Sequence, residues 1–253
     1  MSADGAPFSS RGMGYNHFDG SEWEETPLSR LEPNRAGWGN LGTVEKDGKT
    51  VEFMVSHHWS ADGSSTGGLY VMTNDGIGSS NFSVDKVYKV DENGPAWPRA
   101  VGSGKYIHIY SSVTNGFYQG ITRPNRYYRF DVETGEFDKE RVLFDGYNSD
   151  VISIGQNDCY QMDVKDNTIA IVTGGSGQNL YLFKSDDNGD NWTTTVVDSF
   201  GIQGYNGNQT TGIDTLPTNT GSVEVLLDNN GDAHVWWSIT SIFDDVANDS
   251  AWS

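Results

Sequence analysis

The stretch NLYLFKSDDNGDNWTTTVVD, Asn179 to Asp198, decides how the chain is read. Two short runs of aromatic, aliphatic and β-branched residues, LYLFK and TTTVV, flank a loop of Asp, Asn and Gly that ends at Trp192. Runs of that composition suit pleated strands, and loops of that composition suit tight turns. The unit is a β-hairpin. Three uses of its loop stand open: a calcium site, a catalytic carboxylate cluster, or a turn.

The same grammar recurs outward from this hairpin. No stretch keeps a helical period. VEKDGKTVEFMVSHH turns at Asp47-Gly48, a strong hairpin signal. AVGSGKYIHIYSSV turns at Gly102–Gly104, RYYRFDVETGEFDKERVLF near Thr134-Gly135, DVKDNTIAIVTGG at Asp166-Asn167, and VEVLLDNNGDAHVWWSI at Asn230-Gly231. The hairpins also come in a fixed order. One with a tight turn (Gly42–His58, Ala100–Val113, Tyr160–Thr173) precedes one that opens on an aromatic-rich strand (Leu69–Val90, Tyr127–Phe144, Leu180–Val197).

Each pair makes a four-strand unit, and the units start roughly 50 residues apart, within the range of propeller blades. The expected fold is therefore all-β: a β-propeller of four-stranded antiparallel blades. A sandwich would leave the doubled hairpins unexplained. The expected organisation is a single propeller region over 1–253, with a half blade at 8–36, blades at 37–96, 97–150 and 151–217, and a half blade at 218–253. Four blade equivalents are few for a closed ring, so a partial ring from a larger propeller is expected.

Composition narrows the partners. Lys and Arg number 16 against 35 Asp and Glu, a net charge of -19. Such a surface repels phosphate backbones and anionic lipid, which argues against nucleic acid. No run approaches the roughly 20 apolar residues that cross a bilayer, so no membrane insertion is expected. Cys159 is the single cysteine, which rules out an intrachain disulfide.

The spacing Ser185-x-Asp187-x-Gly189-x-x-Trp192 resembles the Asp box, or BNR repeat, of sialidase-like propellers. Its physics is local: Asp accepts backbone N–H bonds, Gly permits a positive φ, and Trp folds back over the loop. In that family the box is an outer-rim turn between the third and fourth strands of a blade. Asp186, Asp187 and Asp190 are the calcium candidates by ligand type. The terminal Glu of an EF-hand is missing, so a structural turn is expected, with no cofactor other than possible calcium.

A wider resemblance rests on Gly14-Tyr15-Asn16-His17-Phe18-Asp19-Gly20, Trp97-Pro98-Arg99, Leu180–Trp192 and Leu227–Gly231 with His234-Val235. These segments are similar to the sialidase-like region of large secreted Bacteroidetes proteins that carry a type IX secretion sorting domain. The resemblance implies an extracellular or cell-surface location and further blades in a parent protein. Asp214-Thr215-Leu216 and Asp249-Ser250-Ala251 resemble the short O-glycosylation motif of the same bacteria.

A sialidase holds its substrate carboxylate with arginines and works through a Tyr–Glu pair and an acid. The family's Arg-Ile-Pro entry motif is absent here, so catalysis is not the expected activity and no catalytic residue is assigned. The candidate ligand-binding residues are Arg99, Trp97, His57, Trp59 and Tyr160, which lie at the heads or ends of innermost strands. Adjacent His57 and His58 should point to opposite faces of a strand and cannot easily share one metal ion. The expected function is a non-catalytic module for glycans or a surface protein, as in carbohydrate binding or adhesion. A glycoside hydrolase or lyase, and a structural part of a surface assembly, remain as alternatives.

Overall fold

The computed structural model describes residues 8, 10–59, 66–89, 94–113, 117–146, 158–202, 205, 215–243 and 251–252. All regular structure among them is β, and no helix occurs among the described residues. The chain forms two compact units, 1–116 with 126–141, and 117–125 with 142–253.

In the first unit, β1 (Ala36–Lys46), β2 (Lys49–Trp59), β3 (Thr66–Thr73) and β4 (Ser83–Lys89) make a four-stranded antiparallel meander. Asp47 (φ +52°) and Gly48 (φ +70°) form the β1–β2 turn. Two consecutive positive φ values match the right-handed twist of the strands they join. β5 (Pro95–Ser103) and β6 (Tyr106–Val113) open a second sheet. The short strands β7 (Phe117–Tyr118) and β8 (Ile121–Thr122) follow in sequence but belong to the second unit, and the sheet continues through β9 (Arg126–Asp131) and β10 (Glu136–Val142).

The two sheets share a core of Val44, Val51, Phe53, Val55, Leu69, Val71, Ile107, Ile109, Tyr128 and Phe130. The opposite face of the first sheet, through Met54, Tyr70 and Met72, is covered by Met13 and Leu31 from the N-terminal segment. β2 is therefore buried on both faces, which is why Phe53-Met54-Val55 does not alternate with polar residues. Residues 10–35, where the sequence suggests a half blade, hold one isolated bridge, Phe18 to Trp23.

β1 and β5 approach very closely. A Cβ on Gly102 would lie 2.0 Å from the Thr43 carbonyl oxygen, so only glycine fits there. One bond of this contact is Glu45 N–H to the Gly104 carbonyl, at 2.7 Å.

The second unit repeats the plan. β11 (Tyr160–Lys165), β12 (Thr168–Thr173), β13 (Leu180–Ser185) and β14 (Thr193–Asp198) form a four-stranded antiparallel meander. β15 (Thr215–Leu227) and β16 (Ala233–Phe243) form a long hairpin, joined by the short β17 (Ala251–Trp252). Ala170, Val172 and Leu180 pack against Val223, Val225 and Leu227. Gly221 (φ +84°) is the close approach here, since a Cβ would meet the Cys159 sulfur at 2.4 Å. Cys159 is thus a packing residue, with its thiol pKa raised first by burial and then by Asp158.

Candidate functional site

The site in the first unit grows from two matched irregularities. The β1–β2 register slips between Gly37 and Asn40, and the β5–β6 register slips between Ala96 and Arg99. Each slip places a tryptophan in left-handed backbone, Trp38 at φ +53° and Trp97 at φ +51°. Bulky residues rarely adopt that conformation. A bulge accommodates the extra residue and re-aims its side chain. Asn40 ties the two bulges together: its Nδ2 donates to the Trp38 carbonyl at 3.1 Å and to the Pro98 carbonyl at 2.7 Å.

His57 lies opposite Gly37 in the β1–β2 ladder and is fully buried. Its ring centroid is 5.0 Å from Trp38, 4.5 Å from Trp59 and 5.9 Å from Trp97. Trp59 reaches it because residues two apart on a strand share a face. His58 turns to the other face and meets Tyr70 at 4.8 Å. The Trp97 N–H donates to His57 Nδ1 at 3.0 Å, so the neutral ring carries its proton on Nε2. Nε2 is buried and has no hydrogen-bond partner among the described residues. Burial first, then the positive charges of Arg11, His58 and Arg35, lower the imidazole pKa to about 3. At neutral pH the ring is an uncharged donor.

Two arginines complete the group. Arg11 Cζ stands 4.6 Å from the Trp38 ring centroid and 5.2 Å from that of Trp59. Arg35 Cζ stands 4.1 Å from Trp59. Both are held through backbone: Ala36 N–H donates to the Arg11 carbonyl at 3.1 Å, and Trp59 N–H to the Arg35 carbonyl at 3.2 Å. The buried Arg35 Nε has no hydrogen-bond partner among the described residues. Neither arginine pairs with a carboxylate among the described residues.

Three of the residues marked by the sequence, Trp97, His57 and Trp59, are therefore brought together. Arg99 follows the β5 bulge, and its Nη1 donates to the Pro98 carbonyl at 3.4 Å. Tyr160 belongs to the second unit and is fully buried at the head of β11. Trp38, Arg11 and Arg35 were not among the candidates. A usable signal for Trp38 existed, because Ala36-Gly37-Trp38 and Ala96-Trp97 put a tryptophan at the head of the first strand of two successive units.

The loop that opened the sequence reading is a closed hydrogen-bond system. Ser185 Oγ donates to Asp187 Oδ1 at 2.8 Å and accepts from the Gly189 N–H at 2.9 Å. Asp187 Oδ1 accepts from the Asn191 N–H at 2.8 Å, and Oδ2 from Asn191 Nδ2 at 2.6 Å. Trp192 Nε1 donates to the Gly189 carbonyl at 3.1 Å, and its ring packs on Phe144 at 4.6 Å. Asn188 (φ +59°) and Gly189 (φ +83°) make the left-handed corner. The bonds from Asn191 hold the Asp187 pKa down at about 2.

Asp186 is occupied elsewhere, paired with Lys184 at 2.8 Å, and the Asp190 N–H donates to the Asp187 carbonyl at 3.3 Å. Asp228 repeats the device, accepting from the Asn230 and Asp232 N–H groups at 2.8 and 3.0 Å. Among the described residues no three His, Cys, Asp or Glu side chains gather in a metal-holding group. Asp214 of one glycosylation-like tripeptide, and Asp249 and Ser250 of the other, lie outside the described residues.

No protein-family model, curated protein or solved structure matches this chain.

Proposed function

We propose that this chain is a non-catalytic binding module of β-propeller type that takes glycans at the Trp38, Trp59 and Trp97 cluster of its first unit. The observation that carries the reading is the cluster itself: three half-buried indoles around a buried histidine, with two arginines stacked on them. Indole faces suit the apolar faces of sugar rings, and a few polar donors fix orientation.

The propeller reading is supported by the successive four-stranded meanders and by the close side-by-side approach of β1 and β5. The non-catalytic reading is supported by His57, whose pKa, lowered first by burial and then by Arg11, His58 and Arg35, makes it a poor base at neutral pH. A cell-surface location and further blades in a parent protein fit the same picture. The Ser185–Trp192 turn serves as an Asp box that closes its hairpin.

A glycan-array screen of the purified chain and of Trp59→Ala tests this reading. Reproducible glycan binding that Trp59→Ala weakens at least tenfold supports it. A folded chain that binds no glycan overturns it.

A second reading, a glycoside hydrolase, draws on the second unit. There an open cleft of about 470 Å³ is lined by the carboxylate residues Asp158 and Glu224 together with Trp236 and Trp237. Paired carboxylates are the machinery of glycoside hydrolysis. Release of reducing sugar that Glu224→Gln abolishes would favour this reading over binding alone.

A further inference from the structure

Residues 17–24 of the first unit form a small hairpin that the glycan reading does not use. Phe18 and Trp23 make its bridge, and their ring centroids lie 5.4 Å apart. Asp19 closes the turn. Its Oδ1 accepts from the Ser21 N–H at 2.7 Å, the Ser21 hydroxyl at 2.8 Å and the Glu22 N–H at 2.9 Å. The Asp19 N–H donates to the Glu22 carbonyl at 3.2 Å, and the Glu24 N–H to the His17 carbonyl at 3.1 Å.

A lone two-stranded hairpin is marginal in water. This one is braced at its base. Asn16 Nδ2 donates to the Glu24 carbonyl at 3.2 Å. The Tyr15 hydroxyl donates to Glu52 Oε2 at 2.7 Å, and its ring meets Phe82 at 5.1 Å. His17 lies against Gly78, where a Cβ would stand 2.9 Å from the imidazole. The tip is held stiffly, yet Phe18 is 46% and Trp23 65% exposed. A single exposed aromatic needs no explanation. A contacting pair on a braced tip has the form of a contact surface, since rigid aromatic side chains supply area at low entropic cost.

Charge says which partner fits. Residues 12–29 carry Asp19, Glu22, Glu24 and Glu25 and no Lys or Arg. All four acids are exposed. The bonds from the Glu22 and Ser21 N–H groups hold the Asp19 pKa down at about 2, so it is charged at neutral pH. The faces of Phe and Trp attract cations. A guanidinium suits both features, because it lies flat on a ring and pairs with a carboxylate through its fork of N–H groups.

We propose that the hairpin of residues 17–24 is a docking tip for an arginine-bearing segment of a partner protein. Guanidinium groups of that segment stack on Phe18 and Trp23 and pair with the carboxylates beside them. Such docking is separate from glycan binding and does not depend on it.

The test uses the full chain and a short acetylated, amidated Arg-Gly repeat peptide. Matched Lys-Gly and Gln-Gly peptides are the comparisons, all at constant ionic strength. The Trp indole N–H resonances are followed by NMR, and affinities are measured by calorimetry. The expected result is a saturable shift at Trp23 with the Arg peptide, binding about threefold weaker with the Lys peptide, and none with the Gln peptide. Trp23→Ala should weaken binding of the Arg peptide about fivefold, and so should Glu22→Gln combined with Glu24→Gln. Thermal unfolding checks that both variants are folded.

Arg and Lys peptides that bind equally, with Trp23 silent, would mean diffuse attraction to the net charge of -19 and would overturn the docking tip. A Trp23→Ala chain that unfolds at a lower temperature but binds the Arg peptide as the parent does would also overturn it. The aromatic pair would then serve only to hold the hairpin together.

Discussion

The His57 cluster in the first unit and the Ser185–Trp192 turn in the second are both rich in polar and aromatic side chains, and they treat those groups in opposite ways. In the turn, both carboxylate oxygens of Asp187 accept from within seven residues, and the Trp192 indole N–H is bonded to the Gly189 carbonyl. In the cluster, the His57 Nε2 and Arg35 Nε have no partner among the described residues, and two tryptophans are held in backbone that such residues avoid. Internal satisfaction marks a part that shapes the fold. Strain and open donors, retained against their cost, mark a part kept for something else.

The largest way to sharpen that contrast is acid. His57 has a folded pKa of about 3 against an ordinary value of 6.5. Between those values the unfolded chain binds the proton and the folded chain does not, so stability is lost as pH falls through this window and levels off below it. The slope from this one group reaches about 1.4 kcal/mol per pH unit. Urea unfolding of the parent and of His57→Gln between pH 7 and pH 3 should show the variant with the shallower fall. Equal slopes would mean that His57 is not the buried neutral ring described here.

Next in size is the ligand. Trp59→Ala removes one face and both cation–π contacts that Arg11 and Arg35 make with it. Losses of about 1–3 kcal/mol in binding are expected, with stability less affected. Calorimetry with the best array glycan measures the first, and thermal unfolding the second.

The turn should behave in reverse. Asp187→Ala frees the Asn191 N–H and the Ser185 hydroxyl, at an expected cost of about 1 kcal/mol in stability with ligand affinity unchanged. The Asp187 pKa of about 2 lies below the ordinary 3.8. Its contribution is therefore complete above pH 4 and is lost as pH falls towards 2, a lower window than that of His57. A change in glycan affinity in Asp187→Ala would break the contrast.

The smallest effect is expected at Trp236, which is 55% exposed on β16. Trp236→Ala should leave both stability and binding within about 0.5 kcal/mol. A larger loss of binding would move the ligand site to the cleft of the second unit.

These differences also explain what the sequence made legible. The all-β character and the four-stranded antiparallel sheets follow from signals that act over two to eight residues. Asp47-Gly48 turns because its two left-handed residues need nothing distant. The bonds that Asp187 accepts in the Ser185–Trp192 turn are equally local. The cluster is not. Arg11 and Arg35 come from an irregular segment with no period to read, and they meet Trp38 and Trp59 where the N-terminal segment lies against the first sheet.

Trp97, Trp59 and His57 could be marked individually by residue type, but their convergence depends on register slips in β1 and β5 that no residue preference announces. A tryptophan is among the last residues expected at positive φ. Tyr160 was marked on the same grounds of residue type and strand position, and it is buried in the second unit.

The most direct test follows the indole N–H resonances of the 8 tryptophans while the best-binding glycan is added. The expected result is shifts confined to Trp38, Trp59 and Trp97, with Trp192 and Trp236 unmoved. Shifts at Trp192 or Trp236 with a silent cluster would contradict the assignment of the site to the open donors around His57.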